Sequence, residues 1–134
     1  MFVMLKLKMR KLLIVDDSAD LLETMEFFLR KKGFDVKTIL TEKNIHEEIF
    51  AFKPDLVIMD VFIHGKDSRE LCKKLRENNQ LKYLCIILFS SSPVALENHQ
   101  AHGADACIEK PFGLNYLIDK IEEVLNGCKE KNIN

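Results

Sequence analysis

Apolar residues along this chain fall into two alternating rhythms. Lys11–Val15, Leu56–Met59 and Cys85–Phe89 are short, nearly unbroken apolar runs, the signature of strands buried on both faces. Between them, apolar positions recur three and four residues apart. Leu21, Leu22, Met25, Phe28 and Leu29 form one such stripe, closed by Gly33. Ile45, Ile49 and Phe52 form a second, ended by Pro54. Leu71, Cys72 and Leu75 mark a third, which Asp67 or Ser68 can cap. A poorly amphipathic helix is expected over Ala95 to His102 with Gly103 as its stop. Leu117, Ile118, Ile121, Val124 and Leu125 mark a final helix ending at Gly127. Val36–Leu40 and Ala106–Glu109 complete five strand segments. Five strand–helix alternations predict an α/β doubly wound sandwich, a five-stranded parallel sheet in the order 2-1-3-4-5 with helices on both faces.

In such sheets chemistry gathers at the carboxyl ends of the strands. Those ends carry Asp16 and Asp17, then Asp60, then Ser90, then Lys110. Three carboxylates without histidine or cysteine make a hard oxygen set that suits Mg²⁺, and a cation relieves the repulsion between Asp16 and Asp17. A carboxylate beside such a metal can attack phosphorus; Ser90 can donate to the phosphoryl group and Lys110 can neutralise it. Singly, each residue has a plainer reading. The aspartates can cap the helix that follows, Asp60 can form a turn, and Lys110 can be a solvated lysine.

Composition narrows the classes. The 134 residues fit one domain, with residues 1–8 as an N-terminal extension and 128–134 as a short polar tail around a 9–127 core. A net charge of −1 offers no field to attract nucleic acid or an anionic membrane. No apolar stretch approaches a membrane span and the leader lacks a signal-peptide pattern, so a cytoplasmic location is expected. The four cysteines lack metal-ligand or disulfide spacing. Cys72, Cys85 and Cys107 read as small core fillers of a reduced protein.

Taken together, VDDS, DLVIMDV, ILFSSS and GADACIEKPF resemble, in order and at the right strand ends, the receiver domain of two-component response regulators. The resemblance, which runs from Met9 to about Leu125, implies the flavodoxin-like fold. It implies Asp60 as phosphoacceptor, and Asp16, Asp17, Asp60 and the main-chain carbonyl of Phe62 as the Mg²⁺ site. It further implies Ser90 as switch hydroxyl, Lys110 as charge partner of the phosphoryl group, and a Lys110–Pro111 bond of a kind often cis in the family. The expected partners are a histidine kinase or phosphotransfer protein upstream and a protein target downstream, since no output domain is expected in this stand-alone chain. The domain is not expected to be an enzyme beyond Mg-dependent self-phosphorylation. Two departures stand out. Ile63, His64 and Ser68 replace the family's Met-Pro-x-x-x-Gly, and Cys107 occupies the position of the aromatic switch residue. A flavin-binding reading fails because two aspartates would repel a cofactor phosphate. An aspartate-nucleophile phosphatase wants an acid where Phe62 stands. The remaining alternative is a pseudo-receiver, an interaction module not controlled by phosphorylation.

Overall fold

The computed structural model describes the backbone of residues 9–133 and the side chains of residues 9–128. The expected extension 1–8 lies outside these residues, as do the side chains of most of the expected tail.

Among the described residues, seven strands and five α-helices follow in the order β1 (Lys11–Val15), α1 (Ala19–Lys31), β2 (Asp35–Ile39), α2 (Ile45–Phe52), β3 (Leu56–Asp60), β4 (Phe62–Ile63), β5 (Lys66–Asp67), α3 (Arg69–Glu77), β6 (Cys85–Ser90), α4 (Pro93–Leu96), β7 (Ala106–Glu109) and α5 (Leu114–Ile133). The main sheet is parallel with order β2-β1-β3-β6-β7; leaving the small β4-β5 ribbon out of the count, this is the expected 2-1-3-4-5. Strand side chains alternate between faces. Leu12, Ile14, Leu56, Ile58, Ile87 and Phe89 therefore meet α1 and α5, while Leu13, Val15, Val57, Met59, Ile86 and Leu88 meet α2, α3 and α4. Both faces of β1, β3 and β6 are buried, which is why these three central strands read as continuous apolar runs.

Two helices depart from the sequence reading. The expected helix over Ala95 to His102 is instead the four-residue α4 and a separate 3₁₀ turn, His99–His102. Asn98 between them has φ 56°, a left-handed conformation that interrupts the helix. Only Ala95 and Leu96 of this stretch are buried, so no apolar stripe rewards a longer helix. At the other end of the chain, α5 does not stop at Gly127 but continues to Ile133. Gly33 and Gly103 end their helices with positive φ, whereas Gly127 is accommodated inside one.

The continued helix carries Cys128 onto the sheet, where a disulfide joins it to Cys85 with the Cα atoms 6.2 Å apart. The expectation that no disulfide forms and that Cys85 is only a core filler is thereby corrected. A 43-residue separation leaves no local signature, and a helix ending at Gly127 would have left Cys128 in the tail. Cys72 and Cys107 are free; Cys72 is buried as expected, and burial pushes its thiol up to about 12.

Candidate functional site

β1 ends by delivering Asp16 into the protein, fully buried, and Asp17 beside it, exposed. Asp16 Oδ1 accepts the main-chain N–H of Ser18 at 2.7 Å, and Ser18 Oγ in turn accepts Leu21 N–H to cap α1. Capping therefore falls to Ser18, while Asp16 shapes the turn and keeps Oδ2 for Lys110. β3 ends in Asp60, 8% exposed. Carboxylate oxygens of Asp16, Asp17 and Asp60 all lie within 4.8 Å of one another.

Lys110 follows β7 and reaches back across the rim. Its Nζ donates to Asp16 Oδ2 at 2.7 Å and Asp60 Oδ2 at 3.1 Å, and stands 4.4 Å from the centre of the Phe89 ring. Burial is the largest influence on the Asp60 carboxyl and raises it. The Lys110 hydrogen bond and charge pull it down, the Asp16 charge pushes it up, and the outcome lies above the usual range. Burial would lower the Lys110 ammonium, but hydrogen bonds to the two carboxylates outweigh it and hold the group above its ordinary value. The lysine is the cation shared by two acids that cannot both be comfortable without one. The Lys110–Pro111 bond is cis.

Ser90 ends β6, 2% exposed, and its Oγ accepts Ser92 N–H at 3.1 Å. Its carbonyl accepts Lys110 N–H at 2.9 Å, tying two rim residues through the backbone. Cys107 sits half-buried in β7, packed against the α2–α3–α4 layer.

The loop after Asp60 is more ordered than its sequence suggests. β4 and β5 pair antiparallel, with His64 (φ 51°) and Gly65 (φ 74°) at the turn, the paired positive φ values of a tight hairpin. His64 N–H donates to Asp17 Oδ2 at 2.8 Å, and its ring Nε2 lies 3.0 Å from the Leu40 carbonyl. Phe62 N–H donates to Asp60 Oδ1 at 3.3 Å, while its ring stands 42% exposed beside the acid. Ser68, almost fully buried, donates its hydroxyl to the Asp60 carbonyl at 2.5 Å. The pairing of β1 with β3 stops at Val15 and Met59, so this carbonyl finds its donor in a side chain.

Asp16, Asp17, Asp60, Phe62, Ser90 and Lys110 thus converge on one rim, with Cys107 below it on the neighbouring strand. The sequence marks Ser68 as a candidate cap and, with His64, as a departure from the family's loop, but not the bonds that either residue makes. The His64-Gly65 pair between Ile63 and Lys66 was a legible turn signal, but nothing local marks the Ser68 bond. The donor chemistry fits a hard divalent cation: three clustered carboxylates, one exposed and two buried, with only one lysine to offset them.

The family model for the response regulator receiver domain matches residues 12–122. A response regulator structure from Chloroflexus aurantiacus J-10-fl is 30% identical, superposes with a TM-score of 0.82, and is covered over 99% of its length by 89% of this chain. The BeF3-activated N-terminal receiver domain of RstA from Klebsiella pneumoniae is 28% identical with a TM-score of 0.78, over 87% of this chain and 98% of that one. A CheY-like receiver domain protein from Methanospirillum hungatei JF-1 shares the fold at 24% identity and a TM-score of 0.83, over 92% and 99% of the two chains. With most of its length matched and a CheY-like, flavodoxin-like fold, the chain belongs to the response regulator receiver family of two-component systems.

Proposed function

We propose that this receiver accepts a phosphoryl group on Asp60 from a phosphohistidine of a histidine kinase or phosphotransfer protein, with Mg²⁺, and signals through contact with a downstream protein. The observation that carries this reading is the Asp60 carboxylate itself. It sits at a strand end, buried but reachable, clustered with two further carboxylates, and paired to a lysine at 3.1 Å.

In the transfer, the donor's N–P bond breaks as an O–P bond forms on Asp60. The electron pair of the broken bond stays on the imidazole nitrogen, which takes up a proton. Asp16, Asp17, Asp60 and the Phe62 main-chain carbonyl would hold the metal. When bound, Mg²⁺ would supply positive charge to offset that of the phosphoryl group. Lys110, already between Asp16 and Asp60, neutralises charge on the acceptor side, and Ser90 supplies a hydroxyl donor from the next strand. The protein modifies itself rather than turning over an external substrate. No helix among the described residues is long and apolar enough to cross a membrane; the cytoplasm, where such donors work, is the proposed location.

Incubation with acetyl phosphate and Mg²⁺ should add one phosphoryl group by intact mass, and Asp60→Asn should remove that addition. Undiminished labelling of the variant would sink the assignment. Absence of labelling in the parent would favour a pseudo-receiver.

A further inference from the structure

The bond between Cys85 and Cys128 lies at the opposite end of β6 from Ser90 and takes no part in the rim chemistry. We infer that this pair is a reversible thiol–disulfide site that exchanges with small thiols and disulfides of the glutathione class and sets how firmly α5 is held to the sheet.

Three observations point to reversibility. The Cα separation of 6.2 Å falls inside the range of roughly 4.4–6.8 Å that disulfides span. The reduced side chains also have places to go. The Cys85 sulfur is 3.9 Å from the Val124 carbonyl, an acceptor for its thiol, and Cys128 packs against the apolar cluster that contains Cys85, Val124 and Leu125. Finally, the two sulfurs differ in access. Cys85 is 1% exposed at the start of a central strand, whereas Cys128 is only half-buried near the far part of α5. Asp105 has a carboxylate oxygen within 4.8 Å of both sulfurs. That carboxylate is already bound to the Arg76 guanidinium at 2.7 Å and to Ile86 N–H at 2.8 Å, which argues for a bystander rather than a metal ligand.

The unequal access fixes the order of bond changes. A glutathione thiolate attacks the Cys128 sulfur, and Cys85 leaves, taking up a proton. A second glutathione attacks the mixed disulfide at Cys128, releasing that thiol and one glutathione disulfide. Two electrons and two protons pass to the protein, and the reverse sequence restores the bond.

The consequence follows from what the bond encloses. The 85–128 ring contains β6, α4, β7 and most of α5, and with them Ser90 and Lys110. Closing a ring of this length restricts the unfolded chain and any partial opening of the enclosed segment. Oxidation stiffens the half of the domain that carries Ser90; reduction loosens it without removing a rim residue.

The test uses the full chain equilibrated across a series of reduced and oxidised glutathione ratios, and its readouts do not depend on phosphoryl chemistry. Thiol counts after denaturation should run from four at the reducing end to two at the oxidising end, and peptide mapping should place the bond at Cys85–Cys128. The melting temperature should fall by roughly 10 °C on reduction. Cys128→Ser should keep its remaining three thiols throughout the series and melt at one temperature. Four thiols at the oxidising end, a bond involving Cys72 or Cys107, or equal melting temperatures in the two states would each overturn the inference. So would two thiols persisting at the reducing end, which would make the bond a fixed staple.

Discussion

Asp60 shows how a single residue can be placed against its own preference. Burial holds its carboxyl above the ordinary value of 3.8, so over that interval the folded chain keeps a proton that the unfolded chain has lost. Its contribution to stability is therefore present below the unfolded value and lost as pH rises through the folded one. At neutral pH and without metal, the group is a strain on the fold. Asp60→Asn should accordingly be more stable than the parent in metal-free urea melts at pH 7, by a margin that shrinks as the buffer is acidified toward about pH 4. A variant less stable at pH 7 would mean that the Lys110 bond outweighs desolvation. At this scale the sequence was most readable where a residue sits at the end of an apolar run. Asp16, Asp17, Asp60 and Ser90 could be found because the strands carrying them have no polar interruption. Ser68 and His64 could not, since their bonds to Asp60 and Asp17 arise from a hairpin that folds the chain back on itself.

Among the α-helices, α4 is the shortest. Its four residues start at Pro93, and its cap is Ser92, whose hydroxyl accepts Ala95 N–H at 3.3 Å. Ser92 N–H is itself bound to Ser90 Oγ. A displacement of the Ser90 hydroxyl toward a phosphoryl group must therefore release or drag the capping residue. Cys107 has no ring to swing between an exposed and a buried position. Amide shifts on adding beryllofluoride should be largest between Ser90 and Gly103, while Cys107 stays packed. Changes centred on Ala106–Glu109 with a still α4 would contradict this. The lack of an apolar stripe also accounts for the departure at α4: the sequence predicts one helix where Asn98 separates two short turns. The strands were legible because each is buried on both sides, and α5 was misjudged only at its end, where a glycine proved compatible with helix.

For the whole molecule, metal and fold are linked through the acidic rim. An ion that binds the folded chain alone adds about 2.7 kcal/mol when its free concentration is a hundred times its dissociation constant. Mg²⁺ should thus raise the melting temperature of the parent, and Asp17→Asn, which removes the exposed carboxylate, should need more Mg²⁺ for the same rise. No rise in the parent would mean that the cluster does not take Mg²⁺. A different kind of constraint operates across the sheet from α5. A methyl group on Gly103 would come within 2.6 Å of Arg76 Cβ, and its φ of +88° already disfavours any side chain. Arg76 is fixed in turn by the Gly103 carbonyl at 2.9 Å and by Asp105. The sequence showed this glycine only as a helix stop. In descent, then, position 103 is a narrow gate: a lineage can alter the exposed faces of its helices freely, yet leaving glycine there first requires α3 to move away.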